Sequence, residues 1–439
     1  LRSAGGLRLK PFDYQEFACP QLPELADFIG IWPLVGIKKG ITMSENLPLK
    51  GIKVVEFTHM VMGPAAGLML ADMGADVIKV EPVKGDATRK LLGSGSGYFP
   101  MYNRNKRNLL VDLKSEAGKA AVLKLLETAD VVIENFRSGT MDRLGFGYAA
   151  IKELNPSVIY CSEKGFLPGP YENRTALDEV AQMMGGLAYM TGPPGQPLRA
   201  GASVIDVQGG MFGSLAILAA LFQRTVTGKG QQVTSSLFES TVFLVGQHMA
   251  QKAVTGNAAA PMPARVSAWA IYQVFQTSDD QVFVGVVSDK QWLLLCDAFG
   301  LDELAHDPAY KTNNDRVTNK EKLLPIIKET FKQYTKADLM TKLEKTGLPF
   351  APIARPEDLF DDVHLNASGG LVDITVPDGE FKGQPIRLPA LPIEMDGKRF
   401  GAHRDVPRVG QYSKEVLVEL GYNEKEIAVM IAEGVIGAE

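Results

Sequence analysis

Between Gly51 and Phe166 the chain repeats one pattern: a short apolar run rich in Val and Ile, a turn, then a stretch of helical period. The runs are "IKVVEF" (52–57), "DVIKVE" (76–81), "NLLVDL" (108–113), "DVVIEN" (130–135) and "SVIYCSEKGF" (157–166). Helical stretches separate them, among them "AAGLMLADMG" (65–74) and "SEAGKAAVLKLLETA" (115–129), the second opened by a serine start signal. Strands that alternate with helices build βαβ units, so the pattern predicts an α/β fold with a parallel sheet covered by helices.

Beyond Asp178 the chain turns helical. The longest apolar run there, "MFGSLAILAALFQ" (211–223), has the length of a buried helix, and no run approaches the roughly 20 residues that span a bilayer. An Ala/Pro/Gly-rich stretch at 255–268 reads as a linker. After it, "AIYQVFQTSDDQVFVGVVS" reads as two strands joined by a Ser-Asp-Asp turn, followed by amphipathic helices. The expected organisation is a large domain begun by 43–254, a linker at 255–268 and a smaller α+β domain over 269–370. Residues 371–439 return to the large domain through amphipathic helices. Residues 1–42 stand apart: Met43 looks like a natural start, and the preceding segment reads as an extension, a leader or a docking arm.

Charge and composition narrow the partners. A net charge of −5 argues against nucleic acid as a partner. Three widely spaced cysteines form no CxxC pair, which fits a reducing compartment, the cytoplasm or an organellar matrix. Five scattered histidines offer no metal-ligand spacing, so no metal site is expected, and no membrane association either.

Three places invite chemistry. The turn after the first strand, "THMVMGPAAG", is not G-x-G-x-x-G, and Pro64 stands where a pyrophosphate-facing N–H would be needed. Gly63-Pro64 therefore reads as a tight turn opening a helix rather than a dinucleotide site. A basic cluster (Lys79, Lys84, Arg89, Lys90, Arg104, Lys106, Arg107) falls in and after strands, where α/β folds bind ligands. It reads either as solvated surface or as a seat for a ligand with several phosphates. Finally, "TALDEVAQMMGG" (175–186) puts Asp178 and Glu179 at the mouth of a Met-rich helix that runs into two glycines. Neighbouring residues on a helix point about 100° apart, so at most one acid serves a given site. Asp178 is either a dipole-matching acid or a reacting group.

Eight pieces, in this order, resemble the class III CoA-transferase family, which includes formyl-CoA transferase, carnitine CoA-transferase and α-methylacyl-CoA racemase. They are "LKGIKVVEFTHMVMGP", "LADMGADVIKVEP", "YNRNKRNLLVDLKSEAGK", "ADVVIENFRSGTMDRLGFGY", "LNPSVIYCSEKGF", "LDEVAQMMGG", "ALFQRTVTGKGQQVTSSLFES" and "VPRVGQYSKEVLVELGY", and they run from Leu49 to near the C-terminus. The resemblance implies a Rossmann-like large domain made from both chain ends, a small domain, and an interlocked homodimer. It also implies that Asp178 is a nucleophile that carries an acyl anhydride and then a CoA thioester. It implies no permanently bound cofactor, with a coenzyme A thioester and a small carboxylic acid as the substrates. His59, Lys79, Arg89, Lys106, Asn135, Met141, Arg143 and Lys164 are the positions it suggests for binding CoA. Leu177 stands where the racemase branch has a histidine, which favours transfer over isomerisation. Val61 replaces the glutamine of the formyl-CoA branch. With Met60 and Met62 it suggests a roomier, apolar acyl pocket suited to succinyl-CoA or another short dicarboxylyl-CoA. An isomerase and a non-catalytic acyl-CoA binder are the alternatives.

Overall fold

The computed structural model describes residues 47–265 and 267–439. The expected 1–42 extension lies outside the described residues. In the first half, β1 (Lys53–Phe57), α1 (Met62–Asp72), β2 (Asp76–Glu81), α2 (Tyr98–Tyr102), β3 (Lys106–Val111), α3 (Glu116–Glu127) and β4 (Val131–Glu134) follow one another. Then come α4 (Thr140–Leu144), α5 (Tyr148–Leu154), β5 (Ile159–Lys164), α6 (Asp178–Met184), α7 (Leu187–Thr191), α8 (Val204–Thr227), β6 (Gln231–Ser236) and α9 (Leu237–Thr255). Six parallel strands in the order β3-β2-β1-β4-β5-β6 form the central sheet.

Strand alternation divides the sheet's side chains between two helix layers. Val54, Val77, Ile133, Ile159 and Cys161 point to one layer, packed with Leu70, Ile217 and Leu221 of α1 and α8. Val55, Ile78, Leu109, Val132 and Tyr160 point to the other, under Val122 and Leu125 of α3. Each such fully buried Val, Leu or Ile contributes roughly 1.5–3 kcal/mol. Close packing of α8 on α1 depends on Gly210, where a Cβ would sit 2.6 Å from the Met62 carbonyl oxygen. α8 is longer than its apolar run suggests, 24 residues, and is long and apolar enough to cross a membrane. Here it packs on the sheet, burying Ile205, Ile217 and Leu221.

After α9, β7 (Tyr272–Gln276) and β8 (Gln281–Gly285) make the expected hairpin, closed by the Gln276–Gln281 pair. The helices α10 (Asp289–Phe299), α11 (Asp302–His306), α12 (Asn313–Thr318), α13 (Lys320–Lys332) and α14 (Lys336–Glu344) lead to β9 (Phe350–Pro352). β9 joins β8 as a third strand that the sequence did not suggest. Trp292, Leu295, Ile327, Phe331 and Leu343 give this region its own core.

The chain then passes through α15 (Val363–Ala367), β10 (Leu371–Thr375), β11 (Pro385–Pro389), β12 (Glu394–Met395) and β13 (Lys398–Arg399). It finishes with α16 (Ser413–Glu419), α17 (Glu424–Ala432) and β14 (Ile436–Gly437). β14 adds an antiparallel edge to the central sheet, Ile436 opposite Val111, and Val416, Leu417, Ile427 and Met430 bury against the sheet. The amphipathic tail thus returns to the first half of the chain.

Candidate active site

The α6 helix begins at Asp178 after Leu177, which is extended (φ −133°, ψ 169°). Asp178 does not cap its own helix. Its carboxylate, 4% exposed, turns toward the first turn of α8. Oδ2 accepts from the backbone N–H groups of Ile205 at 2.8 Å and Asp206 at 3.1 Å. Oδ1 accepts from the Gln182 side-chain amide, Nε2, at 2.5 Å. Ser203, which precedes α8, makes no side-chain cap, so Asp178 satisfies N–H groups that the helix itself leaves free. A carboxylate at the N-terminus of a long helix is stabilised as an anion by the helix dipole.

Gln182 is fully buried, and its Oε1 accepts from the Ala200 N–H at 2.8 Å, which ties the segment before α8 to α6. Glu179 points elsewhere and pairs with Arg199. Burial, and next the charge of Asp178, push the Asp206 carboxyl up to about 7, with Arg199 opposing. The two glycines lie between helices: Gly185 caps α6 and Gly186 precedes α7. α6 stops at Met184, a Cβ on Gly185 would sit 2.4 Å from Thr241 Cγ2, and Gly186 takes φ +86° to open α7. They mark a break between α6 and α7, with Gly185 packed against α9.

A cavity of about 800 Å³ opens at the carboxyl ends of β1, β2, β4 and β5, with Ala176 and Leu177 in its wall. Open α/β sheets place ligands at this edge. His59, Asn135, Arg143 and Lys164 all line it. Asn135 clamps the main chain of His59 from both sides: its Oδ1 accepts from His59 N at 3.0 Å and its Nδ2 donates to His59 O at 2.9 Å. The next residue, Met60, is held at φ +64°, its N–H donating to Thr88 Oγ1 at 3.2 Å. The His59 ring stacks on Phe136, centroids 5.4 Å apart. Desolvation holds it below the usual histidine range, with Lys79 adding and Asp86 opposing. Arg143 is exposed, and among the described residues its guanidinium donates to Thr140 Oγ1 and pairs with no carboxylate. Lys164 is held by Glu134 at 2.6 Å and by the Phe136 carbonyl at 2.8 Å.

The other four expected positions do not reach this cavity. Lys79 and Lys106 are fully buried. Lys79 Nζ donates to the Thr58 carbonyl at 2.6 Å and lies 3.2 Å from Asp86 and 3.7 Å from Glu56. Lys106 Nζ donates to Glu56 at 2.8 Å and to the Pro64 carbonyl at 2.9 Å, and burial brings its pKa down to about 8 against the pull of Glu56. Arg89 forks onto Glu81, at 2.9 and 2.8 Å, and reaches Asp378 at 2.8 Å. Met141 belongs to the sheet core and touches a second cavity of about 370 Å³, shared with Lys164 and Arg137. Arg104 pairs with Asp72, and Arg107 with Asp76, Glu415 and Glu419. The basic cluster is therefore largely an internal ion-pair network, because Lys79 and Lys106 sit on strands and point into the sheet's packing. Of the acyl-pocket residues, Val61 and Met62 are buried in the core, and Met60 lines the cavity.

The sequence reading missed Gln182, Asp206 and Arg137. Gln182 carried a signal, four residues after Asp178 on one helix face. The contact between Asp178 and Ile205 spans 27 residues and carried none.

The profile of CoA-transferase family III matches residues 49–413, most of the chain. The chain belongs to CoA-transferase family III. It is 36% identical over 389 residues to the succinate–glutarate CoA-transferase of Agrobacterium fabrum, covering 85% of this chain and 96% of that one. An acyl-CoA transferase of Fusarium pseudograminearum is 35% identical, over 90% of this chain and 89% of its own. Among solved structures, a CAIB/BAIF family protein from Brucella suis superposes with a TM-score of 0.76 at 33% identity, over 86% of this chain and 100% of its own.

Proposed function

We propose that this protein moves CoA from an acyl-CoA thioester to a free carboxylic acid, with Asp178 as the covalent carrier. The observation that carries this reading is the Asp178 carboxylate itself. It is buried and held by three N–H donors beside the cavity, with no ammonium or guanidinium hydrogen-bonded to it among the described residues. A carboxylate attacks the thioester carbonyl, expels CoA thiolate and forms an anhydride that keeps the thioester's energy. The thiolate then attacks the aspartyl carbonyl, releasing the first acid and leaving an aspartyl-CoA thioester. The acceptor carboxylate runs the same two steps in reverse.

The cavity supports CoA as the ligand. Arg143 and Arg137, both exposed on its wall, suit phosphates, and Asn135, His59 and Met60 shape its thioester end. Leu177 offers no base in the residue before Asp178, which supports transfer over proton abstraction. The relative in Agrobacterium fabrum supports a short dicarboxylate pair, succinyl-CoA with glutarate, as the first substrates to try. The outer faces of α8 and α9 expose Met211, Leu215, Phe222, Phe243 and Met249, and we assign them to the contact with a second copy in a homodimer.

The test is product formation in a panel of acyl-CoA donors and carboxylic acids, read by mass spectrometry of the CoA pool. The reading expects a new acyl-CoA from at least one pair and none with Asp178→Ala. New acyl-CoA from the Asp178→Ala protein at the wild-type rate would overturn it.

A further inference from the structure

The two oxygens of Asp178 are held by different kinds of donor. Oδ2 accepts from two backbone N–H groups, Ile205 at 2.8 Å and Asp206 at 3.1 Å, both fixed in the first turn of the 24-residue α8. Oδ1 accepts from one side-chain amide, Gln182 Nε2 at 2.5 Å. A backbone donor inside a helix cannot turn to follow a departing acceptor, whereas a side-chain amide can adjust.

We propose that Oδ1 is the oxygen that attacks, and that Oδ2 stays on Asp178 through every turnover in an oxyanion hole formed by the Ile205 and Asp206 N–H groups. The proposal rests on the reading of Asp178 as the nucleophile and adds which oxygen reacts. If Oδ2 attacked, two buried N–H groups would lose a charged acceptor, and buried donors left unpaired are costly. If Oδ1 attacks, the Oδ2 contacts persist. Gln182 gives up one bond while its Oε1 stays anchored on the Ala200 N–H at 2.8 Å.

An Oδ1 lone pair attacks the thioester carbonyl, the C–S bond breaks, and CoA leaves as thiolate. The thiolate attacks Cγ of Asp178, and the negative charge that develops on Oδ2 falls on the two N–H groups, as an oxyanion hole requires. The Cγ–Oδ1 bond then breaks, and that oxygen departs with the first acid as its carboxylate. The acceptor carboxylate attacks Cγ of the aspartyl thioester, Oδ2 again carries the charge, and thiolate leaves. Thiolate finally attacks the acceptor's carbonyl carbon, and Asp178 is regenerated with an acceptor oxygen in the Oδ1 position. Each cycle exchanges one Asp178 oxygen and leaves the other untouched.

The experiment runs many turnovers of the wild-type protein with whichever pair the panel finds active, succinyl-CoA with glutarate being tried first. The acceptor is in excess and its carboxylates are fully labelled with oxygen-18. The protein is then digested and the peptide bearing Asp178 weighed. The proposal expects a plateau at one heavy oxygen in that peptide, however long the turnover continues. Two heavy oxygens would overturn it while leaving Asp178 as the nucleophile. Turnover with no heavy oxygen in the peptide would overturn the nucleophile reading along with it.

Discussion

Two buried groups of charges sit near the carboxyl edge of the same sheet, and they are neutralised in different ways. Around β1, Glu56 is held by Lys106 at 2.8 Å with Lys79 at 3.7 Å, and Lys79 in turn meets Asp86 at 3.2 Å. At the head of α6, Asp178 is nearly as buried but is held by neutral donors: two backbone N–H groups and one amide. A carboxylate locked to an ammonium has its charge compensated and serves the fold. A carboxylate held by neutral dipoles is stabilised and keeps its electrons available. Glu163 is a third case. Among the described residues both of its oxygens lack a hydrogen-bond partner, and burial, then the charge of Glu56, pushes its carboxyl well above the usual range. Burial alone does not separate these carboxylates; the nature of their partners does, and the proposal of Asp178 as the carrier rests on that difference.

The sharpest break of this comparison is Asp178→Asn. The amide oxygen can still accept from the start of α8, but its NH2 then faces the Gln182 amide donor, whose Oε1 is held by the Ala200 N–H, so the melting temperature should fall while the protein still folds. Turnover in the acyl-CoA assay should fall by roughly a thousandfold or more. Lys106→Met should shift the balance the other way. Leaving Glu56 short of its main partner should cost about 3–5 kcal/mol in denaturant unfolding, with the KM for acyl-CoA of the folded protein unchanged. A raised KM at an unchanged unfolding midpoint would return Lys106 to the binding site. Arg143→Ala tests a charge that no carboxylate pairs with among the described residues: the KM for acyl-CoA should rise by about tenfold, or about 1.4 kcal/mol, with unfolding unaltered. That penalty should shrink as salt is added.

Asp206 gives the smallest and most conditional effect. Burial and the charge of Asp178 raise its pKa from the ordinary 3.8 to about 7 in the folded protein. Between those values the folded state binds more protons than the unfolded, so this group makes stability fall as pH rises through that window. Asp206→Asn should therefore melt higher than wild type above pH about 7, with the gap closing as pH falls toward about 4. Melting curves across that range check the sign.

Much of the fold was legible because it rests on local periodicity. Alternating apolar runs and helices gave the parallel sheet, the Ser-Asp-Asp turn gave the hairpin of β7 and β8, and the amphipathic tail returned to pack beside β3. β9 was missed because three residues, one of them proline and two exposed, carry no strand pattern. The site was legible in part. Asp178 stood out by its motif, and His59, Asn135, Arg143 and Lys164 do line one cavity. Lys79 and Lys106 misled because sequence shows a cation but not the partners waiting for it: Glu56, the partner they share, is 50 residues from Lys106. The role of the glycine pair was not legible either, because Thr241 of α9, which fills the space beside Gly185, lies 56 residues further along the chain.

The most direct measurement is the intact mass of the protein after brief mixing with an acyl-CoA that turns over, followed by mapping of any adduct by proteolysis. The account predicts a covalent CoA adduct on Asp178 that disappears when an acceptor carboxylic acid is added and never forms on Asp178→Ala. Rapid turnover with no adduct at Asp178, or an adduct on another residue that the acceptor discharges, would contradict it.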